Sequence, residues 1–178
     1  MFYFQTSVEE REQCQKQVIL EKVKFSTKIK DKTEYLAKLL RDFSEDIVAS
    51  DIEEWSIIYN PAHKRQKNPK LSIIISFYEE SIAQKLCEIS EKTKRTQILK
   101  RSLTKAEERR NYDQWTLINS NNLTSPDKSR VWLPEFDKGV IKMMEYPDSE
   151  GRRQQMKDVA DAKIQGKDYL SLIPEPPS

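Results

Sequence analysis

A stretch in the middle of the chain constrains the fold most, because its apolar residues recur with two different periods. Residues 52–59 and 71–78 carry apolar side chains at alternate positions, the period of a β-strand with one buried face. β-Branched and aromatic residues recur in both runs and favour a pleated surface. The period then changes to that of one helix face, at Ile82, Leu86 and Ile89. We therefore predict a β-hairpin followed directly by an amphipathic helix.

Two capping boxes indicate helix starts before the hairpin. Ser7 is followed three residues later by Glu10, and we predict a helix from there to about Lys24. Apolar and polar residues alternate near Lys24, so a strand is the alternative at that end. Asp31 and Glu34 form a second box. The helix that follows it carries an apolar stripe that a sheet or another helix must cover.

The second half of the chain has weaker patterns. We predict, in chain order, a short helix from about Thr104 to Tyr112, a strand over 114–119, a loop over 119–130, a weak strand pair at 130–133 and 140–146, and a polar helix over about 151–165. Gly166 is a natural end for that helix. The tail after it carries three prolines and continues neither helix nor sheet.

These elements predict an α+β fold, with an antiparallel sheet built on a central hairpin of residues 52–59 and 71–78. Amphipathic helices are expected to pack on the sheet, and the C-terminal helix is expected to be polar. The 178 residues are enough for one domain with an appendage. We assign residues 1–147 to a single α+β domain, 148–168 to a C-terminal helix or docking arm, and 169–178 to a proline-rich tail.

Composition excludes several classes of protein. The three glycines are isolated, whereas phosphate-cradling loops and dinucleotide fingerprints need closely spaced ones. The two cysteines and the single histidine have no metal-ligand spacing. No apolar run has the ~18 residues of a membrane span, and the N-terminus lacks the pattern of a signal peptide. We therefore expect a soluble intracellular protein, cytoplasmic or nuclear, without a cofactor, a metal or a membrane partner.

Positive charge is concentrated in residues 61–110, which hold thirteen basic and six acidic residues. Clusters of this kind bind phosphate backbones, because each neutralised phosphate releases condensed counterions. The residues predicted to contact nucleic acid are Lys64, Arg65, Lys67 and Lys70 in the hairpin loop, and Lys92, Lys94, Arg95, Lys100 and Arg101 in the following basic segment. Arg65, Gln66 and Asn68 are candidates for hydrogen bonds to base edges, and Tyr112 and Trp115 for stacking. A solvated, lysine-rich surface is the alternative.

Catalytic interpretations have less support. His63 has a general base's chemistry but no nucleophile at a recognisable motif. Pro147-Asp148 followed by Asp161-Ala162-Lys163 resembles the PD…(D/E)xK nuclease string, whose carboxylates hold Mg²⁺. In that family the second element lies on a strand, whereas here its spacing is helical.

We therefore predict a non-catalytic nucleic-acid-binding accessory subunit, with DNA or RNA as its partner. The alternative is a protein-interaction or scaffold subunit of a larger complex, which the capped helices, the polar last helix and the proline-rich tail would equally fit. A metal-dependent nuclease is the less favoured third reading.

Overall fold

The structure, a computed structural model, describes residues 8–177. These residues form two compact units, an N-terminal unit of residues 8–102 and a C-terminal unit of residues 103–177. The α+β class and the antiparallel sheet are confirmed. The predicted boundary at residue 147 stays a prediction, and the capping box of Ser7 lies outside the described residues.

The N-terminal unit is a four-stranded antiparallel sheet with helices. Its elements are α1 (Val8–Gln15), β1 (Gln17–Val23), α2 (Lys32–Leu40), β2 (Ile52–Ile57), β3 (Leu71–Phe77), α3 (Glu80–Lys92) and β4 (Leu99–Arg101). The strand order is β2-β3-β1-β4. The predicted hairpin is β2 and β3, and the predicted helix after it is α3. In this order β2 and β4 are the two edges of the sheet.

The first predicted helix is too long. It ends at Gln15, and the strand that was the alternative near Lys24 begins at Gln17 and runs through the middle of the sheet as β1. Val18 and Leu20 are buried at strand spacing, so burial against the sheet decides the conformation. A bulge follows, where Lys22 adopts a left-handed φ of 60°.

The core of the N-terminal unit includes the apolar stripe of α2 and apolar residues of the inner strands. Leu36 and Leu40 of α2 and Ile73 and Ile75 of β3 are fully buried in this one cluster. Complete burial of such a side chain stabilises the fold by about 1.5–3 kcal/mol. The expectation that the α2 stripe is covered by other elements is therefore confirmed.

The C-terminal unit places two helices against a two-stranded hairpin. Its elements are α4 (Lys105–Thr124), β5 (Arg130–Asp137), β6 (Val140–Pro147) and α5 (Arg152–Ile164). Lys138 and Gly139 join the strands, both with positive φ, of 49° and 82°, as a two-residue type I′ turn requires. Both strands were predicted, and β5 is four residues longer than expected.

The prediction for residues 104–130 is wrong in one respect. A single helix, α4, runs to Thr124. It replaces the predicted short helix, the predicted strand over 114–119 and the start of the predicted loop. Alternation of Trp115 with Leu117 suggested the strand, but the residues that α4 buries are Trp115, Ile118 and Asn122, at helical spacing.

Helix α5 has the predicted bounds to within a residue, and Gly166, with φ of 69°, follows its end. Met156 and Val159 pack in one core with Val131 of β5. The tail packs there too, since Tyr169 lies edge-on to Trp115 with ring centroids 5.9 Å apart. No helix within residues 8–177 is long and apolar enough to cross a bilayer.

Candidate nucleic-acid interface

The loop between β2 and β3 carries four exposed basic residues. They are Lys64, Arg65, Lys67 and Lys70, called here the loop cations. A short 3₁₀ turn over Pro61–Arg65 begins the loop, and the Asn60 side chain caps it by accepting a hydrogen bond from the Ala62 amide at 3.0 Å. Asn68 adopts a left-handed φ of 55° before the chain re-enters the sheet. In the described part of the chain, no acidic residue forms an ion pair with a loop cation.

The C-terminal end of α3 lies at the same end of the sheet as this loop. Only two residues separate β3 from α3, so the helix folds back along the strand. The 13 residues of α3 span ~20 Å, and the seven residues of β3 span about as much. The hydroxyl of Ser90 also donates to the Leu99 carbonyl, and Leu99 pairs with Leu20, which pairs with Ile73 near the loop.

The end of α3 has the hydrogen bonds of a Schellman motif. The Arg95 amide donates to the Ser90 carbonyl at 2.8 Å, and the Lys94 amide to the Glu91 carbonyl at 3.2 Å. Lys94 accordingly takes the left-handed conformation, with φ of 56°. This turn places Lys92 and Lys94, both exposed, at the loop end of the sheet.

Arg95 has a structural contact that the charge pattern did not indicate. Its guanidinium carbon lies 4.2 Å from the centre of the Phe43 ring, and Phe43 belongs to the core. A guanidinium over an aromatic face is attracted by the negative ring quadrupole. Arg95 is half-buried and helps to cover the core.

Lys100 and Arg101 are successive residues of β4 and lie on opposite faces of the sheet. The Lys100 ammonium is 2.9 Å from the Glu21 carboxylate, and the Arg101 guanidinium 2.7 Å from the Glu91 carboxylate. Burial is the largest single effect and lowers the pKa of Arg101, but the hydrogen bond to Glu91 and the nearby charges of Cys87, Glu91 and Glu88 together raise it, and the net shift is upward. Both cations are thus paired with acids of their own unit.

The structure exposes an aromatic residue that the sequence pattern assigned to an apolar strand face. β2 ends at Ile57, and Tyr59, 70% exposed, lies at the base of the loop. The Lys64 ammonium is 5.9 Å from its ring centre. The Asn60-Pro61 pair was the signal, since such a pair favours a turn and so indicates that Tyr59 borders a loop. Trp115, predicted to stack, is only 7% exposed in the C-terminal unit.

Three of the residues considered for catalysis, Asp148, Asp161 and Lys163, lie on α5 or just before it. The Asp148 carboxylate accepts the Arg153 amide at 3.1 Å, at the start of α5. Asp161 lies on α5, as its helical spacing indicated. The Lys163 ammonium lies 4.5 Å from the Trp115 ring centre, and burial lowers its pKa. Within residues 8–177, no three His, Cys, Asp or Glu residues cluster as metal ligands.

Two shallow clefts lie on the N-terminal unit. One, of about 180 Å³, is lined by Asp46, Asp51 and Lys85 among others, and one, of about 240 Å³, by Glu12, Lys16 and Glu54 among others. Small-molecule pockets usually enclose about 300–1,000 Å³, so both clefts are small for such a ligand.

No known protein-family model matches this chain, and no curated protein matches it. We therefore take the function from the geometry of the loop end of the sheet. By strand order the loop cations and the end of α3, which carries Lys92 and Lys94, belong to that end of the sheet, and Tyr59 lies near Lys64. Lys100 and Arg101 lie farther along β4, in ion pairs.

Proposed function

We propose that the protein is a non-catalytic nucleic-acid-binding accessory subunit that contacts the phosphate backbone through its basic hairpin loop. The observation that carries the proposal is the exposure of four loop cations without ion pairs to described acids. A loop cation without an ion pair can contact a phosphate with no internal acid to compete, and the counterions released from the nucleic acid make such binding depend on salt. Two paired strands hold the ends of the loop and give it a fixed base.

Lys92 and Lys94 extend the proposed contact surface, because they share the loop end of the sheet. Arg95, Lys100 and Arg101, also in the basic segment, make contacts within their own unit. Arg95 covers Phe43, and an added phosphate would have to compete with Glu21 for Lys100 and with Glu91 for Arg101. The proposed phosphate contacts are thus the loop cations first and the two lysines of the α3 end second.

Tyr59 supplies an exposed ring at the base of the loop, a suitable surface for an unpaired base. Base–aromatic stacking contributes about 1–3 kcal/mol per base and tolerates any sequence. Gln66 and Asn68, exposed among the loop cations, can hydrogen-bond base edges. Stacking on Tyr59 favours a single strand over a duplex, because only unpaired bases expose a face.

Fluorescence-anisotropy titrations with single- and double-stranded DNA and RNA of mixed sequence, each at 50 and 200 mM salt, test this proposal. We expect binding that weakens steeply with salt and is tightest for a single strand. As a control, Lys85→Ala should bind like the wild type. Lys85 is an exposed lysine in the first half of α3, away from the loop end of the sheet, and lies 3.8 Å from Asp46. Equal, salt-insensitive signals for all four nucleic acids would contradict the proposal.

A protein-interaction or scaffold subunit is the second candidate function. It is favoured by one observation, the exposure of Ile57 and Ile58 at the edge of the sheet, 47% and 39% respectively. Exposed apolar side chains on an edge strand are typical of surfaces that bind another chain. Under either proposal we expect the protein to act inside the cell, in the cytoplasm or the nucleus.

A further inference from the structure

Strand β2 leaves one side of its backbone available for pairing. The Ile58 amide donates to the Ser72 carbonyl at 2.9 Å, and Ser56 pairs with Ile74 of β3. Hydrogen bonding alternates along an antiparallel strand, so the N–H and C=O groups of Trp55 and Ile57 point away from β3. No backbone group among residues 8–177 pairs with them on that outer side.

Proteins usually prevent edge pairing with charged residues or a proline in the strand, with a bulge, or with a covering element. In β2 the charged residues, Glu53 and Glu54, and a bulge lie at the start of the strand, and they do not extend to Trp55, Ser56 and Ile57. β2 contains no lysine and no proline, and the first proline, Pro61, comes four residues after its end. With all described residues present, Ile57, Ile58 and Tyr59 are exposed to solvent. The outer edge therefore combines free hydrogen-bonding groups with apolar side chains.

Charge along this edge is arranged with acids at one end and bases at the other. Glu53 and Glu54, both exposed, lie near its start, and no described basic residue forms an ion pair with them. Lys64 and Arg65 follow the other end. If a second β2 lies antiparallel to the first, the acidic start of each strand meets the basic end of the other.

We propose that the outer edge of β2 pairs antiparallel with β2 of a second copy of this chain, forming one eight-stranded sheet across a two-fold axis. Such an interface is self-complementary, as a symmetric dimer requires. In a register centred on Ile57, the outward backbone groups of Trp55 lie opposite Tyr59 of the second copy, just beyond the end of its β2, and Glu53 lies opposite Pro61 at the start of its loop. The inference does not require the proposed function, but it uses Lys64 and Arg65, two of the loop cations, and it is therefore tested without nucleic acid.

The first test removes one outward donor. Ile57→Pro deletes the outward N–H but keeps every hydrogen bond of β2 to β3, whereas Ile57→Ala shortens the same side chain and keeps the N–H. Sedimentation equilibrium of the wild type should give a mass that rises with concentration toward twice the monomer value. We expect Ile57→Pro to raise the dimer dissociation constant at least about tenfold more than Ile57→Ala does. A wild type that stays monomeric at all concentrations, or equal effects of the two variants, would overturn the proposal.

The second test uses charge reversal. Recovery of the dimer in a mixture of two variants shows that both are folded, because misfolded chains would not recover it. Glu53→Lys with Glu54→Lys, and separately Lys64→Glu with Arg65→Glu, should each weaken dimerisation, because like charges would then meet across the axis. An equimolar mixture of the two double variants should recover the dimer, since opposite charges meet again in the mixed pair. If each variant is monomeric, folded by circular dichroism, and still monomeric in the mixture, the antiparallel β2 pairing is refuted.

Discussion

At the scale of single residues, the C-terminal unit depends on amide side chains that complete strand edges. Asn122, 3% exposed, donates to the Trp132 carbonyl and accepts the Trp132 amide, both at 2.8 Å. Asn111 bonds in the same way to the Gly139 carbonyl and the Ile141 amide at the other strand. These side chains take the place of a neighbouring strand, which explains how polar positions of α4 come to be buried.

Asn122→Ala should lower the free energy of unfolding by about 1–3 kcal/mol, because it leaves the Trp132 amide and carbonyl without their partner. Asn119→Ala is the matched control, an asparagine of the same helix whose side chain makes no hydrogen bond to a described residue. We expect it to change stability by less than about 0.5 kcal/mol. Urea denaturation followed by circular dichroism measures both, and equal losses would contradict the role given to Asn122.

The Cys87 thiol gives a pH dependence to the stability of the N-terminal unit. Burial raises its pKa from 9.0 to about 11, with smaller effects from nearby charges. Below pH 9 the thiol is neutral in both states. Between pH 9 and about 11 it ionises only in the unfolded state, so the stability it contributes is lost over that range.

The free energy of unfolding of the wild type should therefore fall, relative to that of Cys87→Ala, by up to about 3 kcal/mol between pH 9 and 11. Using the difference between the two proteins removes the titration of lysines and tyrosines that both share. Chemical denaturation at half-unit pH steps gives the two curves. Parallel curves across this range would contradict the assignment.

At the scale of elements, α4 shows both what local patterns determine and where they mislead. Its start was predicted from Thr104, whose hydroxyl accepts the Glu107 amide at 3.2 Å while the Glu107 carboxylate accepts the Thr104 amide at 3.1 Å. Its length was not predicted, because one of the residues buried near its C-terminal end is an asparagine, Asn122. A binary apolar pattern cannot identify a polar residue that is buried through hydrogen bonds made far along the chain.

Thr104→Ala should lower the stability of the C-terminal unit by about 0.5–2 kcal/mol, since it removes the cap of α4. Thr104→Ser keeps the hydroxyl and should recover most of the loss. The measurement is the midpoint of chemical denaturation. If the dependence of the unfolding free energy on denaturant concentration is unchanged, a shift of the midpoint reports a change of stability. If the serine variant is as unstable as the alanine variant, lost packing of the buried methyl group, and not the cap, explains the change.

At the scale of the whole molecule, the hairpin and the helix after it were predictable because their periods of two and 3.6 are unbroken. The central strand β1 was not, because its seven residues follow a helix directly and carry only three core side chains, Val18, Leu20 and Val23. For the basic segments, the sequence likewise did not show which cations pair with acids. That the loop and the α3 end share one end of the sheet follows from strand order, whereas the pairing of Lys100 and Arg101 required the positions of Glu21 and Glu91.

The most direct test of the central claim is the salt dependence of nucleic-acid binding after the loop alone is neutralised. A variant with all four loop cations changed to glutamine is compared with the wild type and with Lys85→Gln, by anisotropy across several salt concentrations. Each lost phosphate contact reduces the slope of log K against log salt by about 0.7 for a single strand. We predict a slope lower by about 2–3 in the loop variant and unchanged in Lys85→Gln. An unchanged slope in the loop variant would contradict binding through the hairpin loop.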